Sequence, residues 1–184
     1  MIVIDLRGRL IAFEGIDTSG KSTQALRLAD RLAEEGTPVV RTGEPGGTPI
    51  GEAVREILLS REYADLLPFS ELLLFLVSRA QNTSQVIQPA LNEGKVVVAS
   101  RYRMSSVAYQ GYGRGLDLAL VRTLNQLATS GLQPDITFLI DVPAELALRR
   151  KDTEQDRIEI ETLAFHQRVR QGFLELASQD AQAV

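Results

Sequence analysis

Short apolar runs alternate with amphipathic stretches along this chain, in the rhythm of strand–helix repeats. Leu10-Ile11-Ala12-Phe13 is unbroken by polar residues, as a parallel strand covered on both faces requires. Behind it, Ala25, Leu28, Ala29 and Leu32 recur at helical spacing up to a stop at Gly36. A second strand is predicted over 39–42. Thr48 as an N-cap and Pro49 at the first helical position then open a helix. That helix is expected to turn Ala53, Val54, Ile57 and Leu58 inward and Arg55 off that face. A longer helix is predicted from near Ser70 toward Pro89, and a third strand over 95–100. Asp117 caps a further helix that Gly131 closes, and a fourth strand covers 136–141. Helices from about Ala144 and from about Glu159 to Ala177 complete the pattern, with the charged stretch 149–157 between them. Nothing repeats internally and no linker divides the chain. Residues 1–184 are therefore expected to form a single α/β domain, a parallel sheet with helices on both faces.

Composition narrows the picture. With 44% hydrophobic and 24% charged residues the chain has the make-up of a globular protein. It contains no cysteine, which removes disulfides and thiolate metal sites and fits a reducing, cytoplasmic home. The apolar start, Met1-Ile2-Val3-Ile4, is broken at Asp5 and Arg7, too early for a signal-peptide core. The run from Leu72 to Val77 is too short to span a bilayer, so no membrane role is expected. A net charge of −4 gives no general attraction to nucleic acid. Cations that serve an anionic substrate must then be gathered locally.

The chemistry concentrates in one stretch, Gly15-Ile16-Asp17-Thr18-Ser19-Gly20-Lys21-Ser22-Thr23. It has the GxxxxGK[ST] form of a phosphate-binding loop and lies between a predicted strand and a predicted helix. Backbone N–H groups can surround a polyphosphate only where no Cβ intrudes, and Gly15 and Gly20 provide that freedom. The start of the following helix adds unpaired donors. Lys21 then meets the outer phosphates, and the Ser22 hydroxyl can ligate Mg²⁺. In a parallel α/β fold, ligands collect beyond the carboxyl ends of the strands. There the sequence sets Glu44-Pro45-Gly46-Gly47 after the second strand, and Arg101-Tyr102-Arg103 followed by Ser105 to Gln110 after the third. Loops converging on one cleft are the layout of a transferase.

With those blocks in view, the chain resembles the bacterial thymidylate kinases, a family of P-loop nucleoside monophosphate kinases. Phe13 to Thr23, Glu44-Pro45-Gly46-Gly47-Thr48-Pro49, Leu72-Leu73-Leu74-Phe75, Ser100-Arg101-Tyr102 and Ala108-Tyr109-Gln110-Gly111 carry the resemblance, with Pro134-Asp135, Asp156-Arg157 and Phe165-His166 behind them. It implies transfer of the ATP γ-phosphoryl to dTMP with Mg²⁺, in a homodimer. The resemblance places Lys21, Asp17 and Arg101 in catalysis. ATP would be held by Gly15, Ile16, Asp17, Thr18, Ser19, Gly20, Lys21, Ser22 and Thr23, with Arg149 and Arg157 from a short lid near 149–157. The dTMP side would comprise Glu44, Arg55, Phe75, Arg79, Arg101, Ser105, Ser106, Tyr109 and Gln110, with Phe75 stacked on the base. Ser22 and Asp17 would serve the metal. Taken alone, Phe75 reads as a core aromatic and Arg79 as a solvated helix charge. His166 receives no catalytic role.

The sequence also departs from the family pattern. Ser100 stands where an Asp is usual, a weaker partner for Mg²⁺ that Asp17 would partly offset. Gly43 stands where many relatives carry Arg, and the lid is short. Relatives continue into a final strand and helix that are expected to be missing here, with 181–184 as the beginning of that strand. The alternatives are a kinase for another pyrimidine nucleotide and a catalytically weak nucleotide-binding homologue. A P-loop GTPase lacks its guanine-reading Asn-Lys-x-Asp signature.

Overall fold

β1 (Leu10–Glu14) runs between β3 (Val96–Ser100) and β4 (Ile136–Leu139), with β2 (Val39–Gly43) outside β3, and every pairing is parallel. This computed structural model describes residues 6–150 and 155–184. The apolar start at 1–4 with Asp5, and lid residues 151–154 including Lys151, lie outside the described residues.

The sheet owes its two covered faces to the period-2 alternation of its central strands. Ile11, Phe13, Val96 and Val98 pack on Ala25, Ala29 and Leu32 of α1 (Lys21–Glu34). Leu10, Ala12, Val97 and Ala99 face the opposite way, onto Ile87, Ala90 and Tyr102. Because β1 connects toward β2 on one side and β3 toward β4 on the other, the strand order reverses beside β1. A ligand-sized crevice belongs at the carboxyl ends there. At the far edge, Thr137 pairs in parallel with Ala183, and the amides of Thr137 and Leu139 donate to Gln182 and Val184 carbonyls, each at 2.9 Å. Residues 182–184 thus run beside β4, as expected of a strand beginning at this point.

Four expectations need correction. In α2 (Pro49–Leu59), capped by the Thr48 hydroxyl accepting from Gly51 N at 3.0 Å, the buried stripe is Gly51, Val54 and Leu58. Ala53 and Ile57 are exposed, because the helix carries a second apolar stripe, Ile50-Ala53-Ile57, on its outer side. The long helix, expected from near Ser70 toward Pro89, begins at Pro68 and runs past Pro89. α3 (Pro68–Asn82) passes through a π-helical turn, Thr83–Ile87, into α4 (Gln88–Asn92). Pro89 comes just after the π-helical turn, where the i→i−4 ladder is already interrupted. The segment after β3 is helical rather than loop: α5 (Arg103–Ser106) continues into a π-helical stretch, Val107–Gly113. Finally, the last helix, α8 (Leu163–Gln179), begins after Thr162, whose hydroxyl caps Phe165 N, not near Glu159.

The remaining helices are α6 (Leu118–Ala128), capped by Asp117 as expected, and α7 (Ala144–Arg149). α8 packs closely against the π-helical stretch. A Cβ on Gly172 would come within 2.6 Å of Tyr112, and one on Gly113 within 2.7 Å of Phe165. Phe165 and Phe173 of α8 meet the Tyr109 ring at 6.2 and 6.0 Å between centroids, which fixes that side chain. Among the described residues, no helix is long and apolar enough to cross a membrane.

Candidate active site

β1 leads into a loop that only glycine allows at two points. A Cβ on Gly15, at φ 141°, would stand 2.5 Å from the Ile140 carbonyl oxygen. Gly20 holds φ 99° at the start of α1, with no side chain capping the helix. The first amides of α1 are therefore left for an anion. The Ser19 hydroxyl is buried beside them without a partner. Lys21 is buried too. Its Nζ donates to the Ile16 carbonyl at 3.1 Å and lies 3.8 Å from the Asp17 carboxylate. Burial, helped by the charge of Arg101, lowers its pKa to about 7, while Asp17 and Glu14 pull the other way. An uncovered helix start, an orphaned hydroxyl and an under-neutralised lysine together fit a polyphosphate. Ser22 and Thr23 are exposed on the first turn, and Thr18 donates to the Ala147 carbonyl of α7 at 2.5 Å. That bond ties the loop to the short helix that ends at exposed Arg149.

The end of β3 reaches the same place. Arg101 adopts a left-handed φ of 70°, and its amide donates to the Phe13 carbonyl at 2.9 Å. Its guanidinium donates to the Asp17 carboxylate, to Gly15 O at 3.3 Å and to Ser105 Oγ at 3.2 Å, and lies over the Tyr109 ring at 4.9 Å. The Tyr109 hydroxyl donates to the other Asp17 oxygen at 2.7 Å. Burial opposes the charge on Arg101, but Asp17 outweighs it and holds the guanidinium pKa above its ordinary value. Burial pushes the Tyr109 phenol up, so it stays a donor. Glu14 closes β1 from beneath. Its buried carboxylate accepts from the amides of Tyr102 at 2.9 Å and Ser105 at 3.2 Å, and from the Ser105 hydroxyl at 2.5 Å.

A cleft opens from Asp17. All the residues expected on the dTMP side line it: Glu44, Arg55, Phe75, Arg79, Arg101, Ser105, Ser106, Tyr109 and Gln110. Arg79 is fully buried. It donates to Glu44 at 2.7 Å, to Ser106 Oγ at 2.7 Å, to Asn125 and to the Tyr102 carbonyl at 2.8 Å. An arginine has five N–H donors, so one remains for a ligand. Burial raises the Glu44 carboxyl above its ordinary range, against the pull of Arg79. Arg55 reaches back to the Pro45 carbonyl at 2.9 Å, and the Gly46 amide is held by Ser78 Oγ at 2.9 Å. Phe75, half-buried, packs one side on the core that holds Tyr109 and Ile158.

One assignment changes. Arg157 is not poised over the phosphate loop: it is buried, donating to the Leu58 carbonyl at 3.0 Å and pairing with Glu71 at 2.7 Å. A solvated lid cation would not sink there; Arg157 tethers the segment instead. The Asp17 carboxylate accepts from Arg101 on one oxygen and from Tyr109 on the other. The Ser22 hydroxyl lies 2.9 Å from that of Ser100. Asp156 and Ile158 line the cleft without having been singled out for it, and Glu14 and Glu71 support it from behind. Glu71 was findable, because it precedes Phe75 by four positions and Arg79 by eight, on one helix face.

Comparison with known proteins agrees with this geometry. A family model described as thymidylate kinase matches residues 13–184. A thymidylate kinase of Kosmotoga olearia is 51% identical over 176 residues, covering 95% of this chain and 84% of its own length. One from Pelotomaculum thermopropionicum is 47% identical, covering 94% and 82%. The crystal structure of thymidylate kinase from Ehrlichia chaffeensis superposes with a TM-score of 0.80 at 37% identity, over 96% of this chain and 91% of that one. Fold, phosphate loop, acceptor cleft and these likenesses converge: the chain belongs to the thymidylate kinase family.

Proposed function

We propose that the protein transfers the γ-phosphoryl group of ATP to dTMP, giving dTDP and ADP, in the cytoplasmic supply of dTTP. What carries this is the bond between Asp17 and Arg101, by which the phosphate loop and the acceptor cleft share a wall. The acceptor oxygen of a nucleoside monophosphate is already an anion at neutral pH, so no strong base is needed. The difficulty is to bring two anionic groups into line. Lys21 and the amides at the start of α1 offset one, and Arg55 and Arg101 offset the other. Planar guanidiniums suit the acceptor phosphate, which they can bind through two oxygens at once. Phe75 offers a stacking face to the base, and Arg79, Ser106 and Gln110 offer its hydrogen bonds.

Mg²⁺ would offset phosphate charge, and from this chain the exposed Ser22 hydroxyl would hold it, with Ser100 beside it. The chain works as a single domain, and exposed Arg149 and Arg150 at the end of α7 stand on the helix whose Ala147 carbonyl the phosphate loop reaches. The protein works as a homodimer. Neighbouring helices α2, α3 and α6 each expose an apolar stripe: Ile50 and Ile57, then Phe69, Leu73 and Val77, then Leu120 and Leu127. Apolar stripes side by side on a water-facing surface mark a contact surface.

The direct test is ADP formation with dTMP, dUMP, UMP and dCMP as acceptors. dTMP should give the highest kcat/KM, exceeding dUMP by about 10-fold or more, as one buried methyl group allows. Binding without ADP formation, or a lead for UMP or dCMP, would overturn the proposal. The lowered pKa of Lys21 adds a pH signature. At pH 8 the lysine of the free protein is mostly neutral, and a bound triphosphate favours its charged form. ATP binding should therefore take up to about 0.9 proton, read by calorimetry in buffers of different ionisation enthalpy. Lys21→Met should abolish that uptake; equal uptake in both proteins would refute it. For the dimer, sedimentation should give twice the 20.2 kDa chain mass, and Leu73→Glu should give a folded monomer. A monomeric wild type at micromolar concentration would count against the interface.

A further inference from the structure

Gln110 lines the acceptor cleft and is almost fully buried, so the way its amide is turned decides which atom a base meets. An amide can present either an NH₂ donor or a carbonyl acceptor. Here the choice is made behind the cleft, on α3. Gln110 Nε2 donates to Glu71 Oε1 at 2.9 Å. The same carboxylate accepts from Arg114 Nε at 3.1 Å and from its terminal nitrogen at 3.0 Å, and pairs with Arg157 at 2.7 Å. Burial alone would raise the Glu71 carboxyl. The hydrogen bonds and charge of Arg114, with Gln110 and Arg157, outweigh it and hold the group below its ordinary range. A carboxylate so held has no proton to give and can only accept. Gln110 must turn its NH₂ toward Glu71 and its carbonyl oxygen toward the cleft.

We infer that Glu71 is a positioning residue for base selection: by fixing the Gln110 amide it presents an acceptor, which favours a pyrimidine whose ring carries an imide N–H over cytosine. Thymine and uracil offer that N–H between two carbonyls. Cytosine offers a ring-nitrogen lone pair at the same point, and two acceptors facing each other repel. This rests on the reading that the cleft takes a pyrimidine nucleoside monophosphate. Arg114 and Arg157 belong to the device because they keep Glu71 ionised, and Arg114 is itself anchored by Glu161 and stacked over Phe165 at 4.7 Å.

Calorimetric dissociation constants for dTMP, dUMP and dCMP test this without depending on turnover. The wild type should bind dTMP and dUMP at least about 100-fold more tightly than dCMP, as expected where a wrong partner leaves buried polar groups unpaired. Glu71→Gln keeps the size but frees the Gln110 amide to turn. The dTMP-to-dCMP ratio should then fall by about 10-fold or more, while the dTMP-to-dUMP ratio, set by the methyl group, stays within about twofold. A merely structural loss would weaken all three alike. Should Glu71→Gln not fold, Gln110→Met removes the acceptor while leaving Glu71 paired with both arginines, and it should lose the same discrimination. Either folded variant keeping the wild-type ratio, or a wild type that binds dCMP as well as dTMP, overturns the inference. The expected binding pattern without any ADP formation would strike the catalytic proposal and leave this one standing.

Discussion

The carboxylate of Asp17 sits between groups drawn from three parts of the chain: Lys21 on the first turn of α1, Arg101 at the end of β3, and Tyr109 in the π-helical stretch that α8 braces. Each of these is buried or nearly so, and none could be packed there without a counter-charge or a hydrogen bond. With Asp17 in place, Lys21 and Arg101 stand close together. Burial, and then the charge of Arg101, lowers the Lys21 pKa, while Asp17 holds that of Arg101 above its ordinary value. The arrangement holds positive charge ready where two phosphate groups must be brought together despite their repulsion, in a site whose donors need no rearrangement. The left-handed backbone at Arg101 belongs to the same constraint, since it bends the chain at the end of β3, where the guanidinium meets the loop after β1.

Three further carboxylates, Glu14, Glu44 and Glu71, are buried around this centre, and each organises a different wall. Glu14 fastens the backbone that begins α5, Glu44 holds Arg79, and Glu71 gathers Gln110, Arg114 and Arg157. Burying an ion pair yields little net stability, while removing one partner strands the other at about 3–5 kcal/mol. Their value here is orientation: each holds a donor or an amide at the rim in one rotamer, so the cleft is formed before a ligand arrives.

How much of this was legible depended on whether the cause was local. The strands and the phosphate loop are spelled by contiguous residues, and they stand where the sequence puts them. The caps at Thr48 and Asp117 likewise act within three positions of themselves. Legibility fell where one pattern served two purposes. Ile57 and Ala53 are apolar for an outer stripe, so periodicity alone could not say which side of α2 faces the core. The helix at 103–113 escaped because i→i+5 bonding breaks the 3.6-residue repeat by which helices are recognised. Arg157 was misread because its partner, Glu71, is distant in the chain, and an arginine in a charged run looks solvated. The acceptor residues came from family resemblance rather than from chemistry read off the residues. Phe75 and Arg79 alone look like core and surface, and only the fold sets both against one cleft.

The central claim is that Arg101 joins the donor cradle to the acceptor phosphate. It is tested most directly by steady-state kinetics of Arg101→Ala with dTMP varied at saturating ATP and Mg²⁺. The account predicts a fall in kcat/KM of about 100-fold or more, on the scale of losing one transition-state donor. A value within about twofold of the wild type, in a folded protein, would contradict it.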